Sequence, residues 1–174
     1  MAYDKSMDFS ALIRLIADGL VIPIVLLAAY ALIFKVPKGQ RFAAYSRILM
    51  AGLTAYLLAK LVGYVYQPST LRPFEILGVD PGASYLNNPG FPSDHMLFVT
   101  AIVLAVWFET RMKTLSIILA SMALLVGLGR ILALVHTPLD VIGGIVIAAI
   151  GALWYSNEPT TQRRSKSHGK SSGG

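Results

Sequence analysis

Residues 114–155 read TLSIILASMALLVGLGRILALVHTPLDVIGGIVIAAIGALWY, two apolar segments joined by the short polar step His136-Thr137. At about 1.5 Å per residue, residues 114–135 and 138–155 are long enough, or nearly so, to cross a hydrocarbon core about 30 Å thick. A lipid-exposed backbone must satisfy its own hydrogen bonds, and an α-helix does so within a single segment. The stretch therefore predicts two consecutive membrane helices.

Three more apolar segments precede this pair, at residues 11–34, 43–66 and 95–109. The 174-residue chain is 55% hydrophobic and only 14% charged, whereas soluble domains carry about 25% charged residues. The first segment is longer than the roughly 7–15 residues of a signal-peptide core, so we interpret it as a retained helix. The sequence predicts an all-α polytopic membrane helix bundle over residues 1–156, with about five transmembrane helices.

The basic residues are distributed unevenly along the chain, which carries a net charge of +6. Ten of them lie between segments one and two or near the start of segment two, between segments three and four, or after segment five: Lys35, Lys38, Arg41, Arg47, Arg111, Lys113, Arg163, Arg164, Lys166 and Lys170. Because positive loops stay cytoplasmic, these loops and a disordered basic tail, residues 157–174, are predicted to lie inside and the N-terminus outside. The same distribution argues against nucleic acid as a partner. The chain has no cysteine, which excludes a thiol nucleophile and disulfides.

Seven polar residues fall at the opposite ends of the predicted helices or in the loops that join them: Lys60, Arg72, Ser93, His95, Arg130, His136 and Asp140. An ionised group in hydrocarbon costs about 2.5–3.5 kcal/mol, so such residues are kept near a bilayer where they line a site. Two imidazoles among several cations suit a phosphate group. The pattern predicts a phosphate site that opens to the outer surface.

His136 and Asp140 flank the predicted start of the last helix. Pro138 suits the first helical position, and Asp140 in the first turn can reach back to His136. A carboxylate bonded to one imidazole nitrogen fixes the tautomer while the other nitrogen attacks an electrophile. The alternative is an aspartate at a helix N-terminus beside an interfacial histidine. Arg130 and a second histidine elsewhere favour the catalytic interpretation.

Ser93, Asp94 and His95 lie at the predicted start of the third helix, after a stretch rich in Pro, Gly and Asn. A helix N-terminus presents free N–H groups to an anion. Ser93 is predicted to bind phosphate through its hydroxyl and its N–H, to cap the helix, or to do both, and His95 to act as a general acid. Asp94 is expected to cap the helix or to support its neighbours without taking part in the chemistry.

Arg72 and Arg130 are candidate phosphate clamps, because a guanidinium donates as a bidentate fork. Lys60, near the outer end of the second helix, is the third candidate cation, with snorkelling to the interface as its alternative. Asp18 and Arg14 share a face of the first helix and are expected to pair. A stripe of small residues on the last helix indicates close helix packing: Gly144, Ala148 and Ala152.

Three motifs resemble, in order, those of the type 2 phosphatidic acid phosphatase (PAP2) superfamily: Lys60…Arg72-Pro73, Pro92-Ser93-Asp94-His95 and Gly129-Arg130-x5-His136-x3-Asp140. The resemblance covers residues 60–145. The lysine-to-arginine spacing is longer than the family pattern, Gly129 replaces a serine and Asp94 replaces a glycine. Asp94 and the run Arg72-Pro73-Phe74-Glu75 resemble the bacterial undecaprenyl-diphosphatase branch of the family.

The resemblance implies a PAP2/chloroperoxidase-like helical core and a two-step reaction that needs no metal and no cofactor. His136 would attack phosphorus to form a phosphohistidine, and Asp140 would orient it. His95 would protonate the departing lipid oxygen before water hydrolyses the intermediate. Four residues would hold the phosphoryl oxygens: Lys60, Arg72, Ser93 and Arg130.

We therefore expect a phosphatase at the outer face of a bacterial inner membrane that converts undecaprenyl diphosphate to undecaprenyl phosphate. A phosphatidylglycerophosphate or phosphatidate phosphatase would use the same residues. A small proton-coupled transporter is the alternative from another class, but the polar groups cluster at one membrane face instead of crossing the bilayer. The third alternative is an inactive family member that only binds phospholipid, and the retained histidines and Asp140 argue against it.

Overall fold

The computed structural model describes residues 5–88 and 90–156, and every regular element within them is helical. The first helix, α1 (Lys5–Arg14), continues through a π-helical segment, Leu15–Gly19, into α2 (Val21–Lys35). The remaining elements are α3 (Arg41–Val65), α4 (Pro73–Leu77), α5 (Asp94–Glu109), α6 (Lys113–Leu132), α7 (Pro138–Gly151) and 3-10 turns at Lys38–Gln40 and Ala152–Ser156. The predicted tail, residues 157–174, lies outside the described residues.

Four stretches of the described residues are long and apolar enough to cross a membrane: Phe9–Lys35, Lys38–Val65, Lys113–Leu132 and Pro138–Ser156. They coincide with four of the five predicted segments. The fifth, α5, has 16 residues, which is about 24 Å of helix. It packs against α2, α3, α6 and α7, so protein covers much of its surface. The prediction of an all-α membrane bundle with about five helices is confirmed.

Helix α5 contributes to the apolar core on two of its faces. Met96, Val99, Val103 and Val106 are spaced three or four residues apart, which places their side chains on one helix face. They pack with buried residues of α2 and α6. Leu97, on another face, packs with small residues of α3 and α7. This central position brings the N-terminus of α5 beside the ends of α6 and α7.

Small residues bring α7 close to its neighbours, as the predicted stripe indicates. A Cβ atom on Gly144 would lie 2.7 Å from the carbonyl oxygen of Ser93, the residue that precedes α5. One on Gly151 would lie 2.5 Å from the carbonyl oxygen of Ala51 in α3. Both distances are too short for a side chain, so both contacts depend on glycine.

The first span contains a π turn, in which the Leu20 N–H donates to a carbonyl five residues back at 3.1 Å. Pro23 has no N–H for the Gly19 carbonyl and its ring crowds that group, which favours irregular winding just before it. The π-helical segment packs on α6. There a Cβ on Gly129 would lie 2.8 Å from the Ala17 nitrogen. Glycine at the position where the family motif has serine therefore allows this backbone contact.

Candidate active site

The predicted site residues lie at one end of the bundle, at the ends of α3, α5, α6 and α7 and in the long loop between α3 and α5. Five of them are buried: Arg72, Ser93, Arg130, His136 and Asp140. His95 is partly buried and Lys60 is exposed. The fold therefore brings residues of all three motifs to the same end.

His136 follows a tight turn that ends α6. Leu134 adopts a left-handed backbone conformation with φ 59°, which costs a residue with a side chain about 1–2 kcal/mol. The turn closes on one acceptor, the Arg130 carbonyl oxygen, which receives the N–H groups of Val135 and His136, both at 3.3 Å. The backbone of Arg130 thereby anchors the predicted nucleophile.

The long loop and α4 hold this turn through three successive carbonyl groups. Each carbonyl accepts one hydrogen bond: Ala133 from Gly82 N at 3.0 Å, Leu134 from Phe74 N at 3.0 Å and Val135 from Arg72 Nη1 at 2.6 Å. Such donors satisfy groups that a buried turn would otherwise leave unpaired. The segment between α3 and α5 therefore determines where His136 lies.

Thr137 and Asp140 form a capping box at the start of α7. The Thr137 N–H donates to Asp140 Oδ2 at 2.7 Å, and the Asp140 N–H donates to Thr137 Oγ1 at 3.2 Å. The box holds Asp140 Oδ2 3.6 Å from Nδ1 of His136, and catalytic contacts are often this long before substrate binds. Thr137 is not among the predicted site residues, although a threonine three residues before an acid and ahead of an apolar run indicates such a cap.

Burial lowers the pKa of His136 below its ordinary value of 6.5. The nearby Asp140 carboxylate opposes this shift, and the positive charges of Arg130 and Arg72 reinforce it. The imidazole is therefore neutral near pH 7. Only a neutral imidazole has the lone pair that nucleophilic attack requires.

Ser93 caps α5 and joins it to α7. Its Oγ accepts the Met96 N–H at 3.5 Å, as an N-cap does. Its own N–H donates to the carbonyl oxygen of Asp140 at 3.0 Å. In this structure Ser93 therefore acts as a helix cap. Its N–H, which was predicted to bind phosphate, donates instead to Asp140 of the third motif.

The Arg72 guanidinium bonds the loop between α3 and α5 to the turn before His136. Its Nη1 donates to Val135, while its Nη2 donates to the Leu86 carbonyl at 3.0 Å and to two oxygens of Asn88, both at 3.1 Å. Its backbone N–H donates to Glu75 Oε2 at 2.6 Å, which begins α4 with a side-chain cap. The bidentate fork predicted for phosphate is therefore directed at backbone and amide oxygens in this structure.

Lys60 pairs with Asp94, the aspartate that replaces the family glycine. Lys60 Nζ lies 3.1 Å from Asp94 Oδ1 and 5.3 Å from the ring centroid of Tyr56. Asp94 Oδ2 accepts from Asn88 Nδ2 at 3.0 Å. Asp94 therefore links the first-motif lysine to the loop over the site.

The family model of the PAP2 superfamily matches residues 42–164, a region that contains all three motifs. The chain belongs to the PAP2 superfamily. The family resemblance predicted from the motifs is therefore confirmed.

Two curated relatives share sequence with this PAP2 chain. It is 32% identical over 131 residues to the undecaprenyl-diphosphatase BcrC of Bacillus subtilis (strain 168), an overlap of 71% of this chain and 64% of that protein. It is 32% identical over 122 residues to the bacitracin transport permease protein BcrC of Bacillus licheniformis, with 69% and 57% covered. The chain thus spans less than two thirds of the length of each relative. No solved structure matches it.

In this PAP2 chain Arg130 pairs with an aspartate that precedes the family region. Arg130 Nη1 donates to Asp18 Oδ1 at 2.7 Å. The predicted pairing of Asp18 with Arg14 is wrong, because Asp18 pairs with Arg130 instead. The π winding from Leu15 to Gly19 replaces the α-helical geometry that sets residues four apart side by side. Asp18 is not among the predicted site residues either, although a carboxylate inside an apolar segment is itself an indication of a site.

Each predicted phosphate-binding cation of this PAP2 chain thus contacts acceptors of the chain itself. Asp94 contacts Lys60, loop oxygens contact Arg72, and Asp18 contacts Arg130. At Lys60 and Arg72 a phosphate would have to replace these acceptors or share the cation with them, whereas Asp18 occupies only Nη1 of Arg130. Within residues 5–88 and 90–156, no three metal-ligating side chains come together.

Proposed function

We propose that this PAP2 chain is a membrane lipid phosphatase that removes the terminal phosphate of an isoprenoid diphosphate, with undecaprenyl diphosphate as its substrate. The observation that carries the proposal is the buried group of His136, Asp140 and Arg130 at one end of a membrane helix bundle. Asp140 Oδ2 lies 3.6 Å from Nδ1 of His136, and the backbone N–H of His136 donates to the Arg130 carbonyl oxygen. A relative named undecaprenyl-diphosphatase, 32% identical, supports the choice of substrate.

The proposed reaction has two steps. In the first, Nε2 of His136 attacks the terminal phosphorus, because Nδ1 lies toward Asp140. The bond from that phosphorus to the bridging oxygen breaks, His95 donates a proton to this oxygen, and undecaprenyl phosphate leaves. In the second, water gives a proton to His95 and attacks the phosphohistidine. The phosphorus–nitrogen bond breaks, which releases orthophosphate and restores both histidines.

Positive charge is available where the reaction develops negative charge. Phosphoryl transfer spreads charge over the three equatorial oxygens. Arg130 would contact them through the edge that Asp18 leaves free, and Lys60 and Arg72 would contact them after a change of their present contacts. The N-termini of α5 and α7 meet through the bond between Ser93 and Asp140. Their helix dipoles add positive potential at the same place.

An apolar groove between α3 and α5 leads from the site into the bundle. A cavity of about 390 Å³ is lined by Lys60 and Asp94 at one end and by Phe98 and Ala101 at the other. A second cavity of about 190 Å³ shares Phe98 and Ala101 with it and extends to Tyr155. Apolar walls with polar groups at one end suit a long hydrocarbon tail whose diphosphate lies at the Lys60 end.

We propose that the site faces the outer side of a bacterial inner membrane and that residues 157–174 are a cytoplasmic tail. Arg41, Arg47 and Lys113 begin or lie near the ends of α3 and α6 that are remote from the site. The positive-inside rule assigns that side to the cytoplasm. Two other lipid phosphates, phosphatidylglycerophosphate and phosphatidate, would meet the same groups, and substrate competition separates the three.

A second candidate function is transport. The observation that favours it is the 32% identity to a protein named bacitracin transport permease. A proton-coupled carrier needs polar groups along a path through the membrane. Among the described residues, the charged groups of the three motifs lie at one end of the bundle, whereas Arg47 and Glu109 lie at the other end and pair with each other at 2.6 Å.

The experiment that tests the proposal measures orthophosphate release from undecaprenyl diphosphate by detergent-purified protein in excess EDTA. Phosphatidylglycerophosphate and phosphatidate serve as parallel substrates. His136→Ala is compared with His168→Ala, a matched control because His168 lies outside the three motifs. A radiolabelled terminal phosphate tests whether an acid-labile, alkali-stable label forms on the protein.

We expect metal-independent release that is lost in His136→Ala and kept in His168→Ala, with undecaprenyl diphosphate as the best substrate and a label that requires His136. Full activity of His136→Ala would refute its role as nucleophile. A better rate with one of the other two lipids would reassign the substrate. No release from any lipid by folded protein would favour transport or a binding-only protein.

A further inference from the structure

The ion pair between Asp18 and Arg130 joins the first span to the predicted phosphate site. Arg130 Nη1 lies 2.7 Å from Asp18 Oδ1, and the two side chains are 1% and 24% exposed, respectively. The other carboxylate oxygen accepts the Ser84 N–H at 2.9 Å, which ties it to the loop between α3 and α5. Asp18 belongs to none of the three motifs and precedes the family region, residues 42–164.

The local fold places Asp18 firmly against Arg130. Asp18 lies in the π-helical segment, and π turns inside helices are frequent at functional sites. The residues next to the two partners, Ala17 and Gly129, are in backbone contact, since a Cβ on Gly129 would lie 2.8 Å from the Ala17 nitrogen. Neither backbone can shift toward the other, so the ion pair holds the guanidinium in a defined orientation.

The pair leaves one edge of the guanidinium available. Asp18 contacts Nη1, whereas Nε of Arg130 is buried and has no hydrogen-bond partner among the described residues. A buried donor without an acceptor is destabilising, and an oxygen of a bound ligand would supply the missing acceptor. Nε and Nη2 form the side-on fork that arginine offers to two phosphoryl oxygens. Arg130 also belongs to the immediate surroundings of the predicted nucleophile, because its carbonyl oxygen accepts the His136 N–H at 3.3 Å.

We infer that Asp18 is a positioning residue for the phosphatase reaction: it holds Arg130 through Nη1 so that the Nε and Nη2 edge receives the terminal phosphoryl group. The inference rests on the proposed function, because it assigns Arg130 to the phosphoryl oxygens. Asp18 touches no reacting atom and acts only through Arg130.

The test compares Asp18→Asn with Glu109→Gln in purified full-length protein. Glu109 is a matched control, because its carboxylate pairs with Arg47 at 2.6 Å between α5 and α3, at the other end of the bundle. Two quantities are measured per folded molecule. One is the kcat and KM of orthophosphate release from undecaprenyl diphosphate, and the other is the rise in unfolding temperature caused by orthovanadate, a phosphoryl mimic.

Asp18→Asn is expected to lower kcat by about 10- to 100-fold, because a small misplacement of a charge-stabilising group has effects of that size. It should also reduce the rise in unfolding temperature that orthovanadate causes. Glu109→Gln should keep the wild-type kcat and the wild-type rise in unfolding temperature. Asp18→Glu, which restores the carboxylate, should recover part of the lost kcat. A loss confined to the amount of folded protein would mean a purely structural role and would overturn the inference.

A double-mutant cycle tests whether Asp18 acts through Arg130. Arg130→Lys keeps a charge but has no fork, so adding Asp18→Asn to it should lower kcat little further. If the kcat losses of Asp18→Asn and Arg130→Lys multiply in the double variant, the inference is overturned. It is also overturned if Asp18→Asn has the wild-type kcat and the wild-type response to orthovanadate. If the wild-type protein releases no orthophosphate, the proposed function fails instead. The orthovanadate measurement then decides on Asp18 alone: an equal rise in wild type and Asp18→Asn overturns the inference, and a smaller rise supports it.

Discussion

The backbone N–H of Ser93 donates to the carbonyl oxygen of Asp140 at 3.0 Å. This bond joins the residue that caps α5 to the first turn of α7, and it brings the second motif against the third. Gly144, one turn further along α7, lies so close that a Cβ would be 2.7 Å from the Ser93 carbonyl oxygen. Main-chain contacts therefore set the distance between the second and third motifs, and a side chain at position 144 has no room.

Gly144→Val should separate α5 from α7. Its branched side chain meets the Ser93 carbonyl, and overpacking of this kind costs about 1–3 kcal/mol. We expect a lower unfolding temperature and a lower kcat for orthophosphate release per folded molecule. Gly39→Ala is the control, because nothing lies within 4 Å of a Cβ at that position. Normal kcat in folded Gly144→Val would show that the spacing of the two motifs is not critical.

Asp140→Asn should lower kcat by about 10²–10⁴-fold, since a carboxylate that orients an imidazole and stabilises its positive charge is lost while the side-chain shape is kept. The matched variant is Thr137→Val, which removes the hydroxyl of the capping box and should cost about 1 kcal/mol of stability. Single-turnover kinetics and thermal unfolding distinguish the two effects. Equal kcat losses in both variants would indicate that Asp140 serves mainly as a cap.

The rate of phosphohistidine formation should depend on pH through His136. Burial lowers the pKa of this imidazole below 6.5, so it stays neutral and nucleophilic as the pH falls through 6.5. The rate should decline only at lower pH. The measurement follows transfer of a radiolabelled terminal phosphate to the protein in single turnovers between about pH 8 and pH 4. It gives the pH at which the rate falls to half. A midpoint at or above 6.5 would contradict the effect of burial.

The same shift predicts how stability depends on pH. Between the folded pKa and 6.5, the unfolded chain binds a proton at His136 that the folded protein does not. His136 therefore contributes stability above pH 6.5 that is lost progressively as the pH falls below that value. Replacing it with glutamine should weaken the acid-side fall in unfolding temperature. His168→Gln provides the control for loss of a histidine from the chain.

Filling the groove between α3 and α5 should act on long lipid tails and not on the chemistry. Ala101 lines both cavities, so Ala101→Phe should raise KM for undecaprenyl diphosphate by about 10-fold or more, consistent with loss of several buried methylene contacts. The KM for farnesyl diphosphate, with its short tail, should change little. Ile117→Phe, on an exposed face of α6, is the control. Equal effects on both substrates would place the tail elsewhere.

Much of the architecture follows from the sequence, for reasons that are local. A run of apolar residues such as 114–135 must form a helix in a membrane, because its backbone has no other hydrogen-bond partner. The order of such runs then alternates the loops between the two sides, which sends residues as distant as Lys60 and His136 to the same end of the bundle. The motifs predict chemistry in the same way, since Asp140 in the first turn of a helix lies near His136 whatever the rest of the chain does.

Only the tertiary structure pairs Asp18 with Arg130, directs Arg72 at the carbonyl groups before His136, and explains Gly129. These contacts join residues far apart in the chain, and they depend on how each helix is rotated about its axis and how closely it approaches its neighbour. Apolar residues cover most sides of a membrane helix, so hydrophobic periodicity says little about rotation. The π turn before Pro23 changes that rotation further. Sequence therefore determined which residues share an end of the bundle, and packing decided which of them touch.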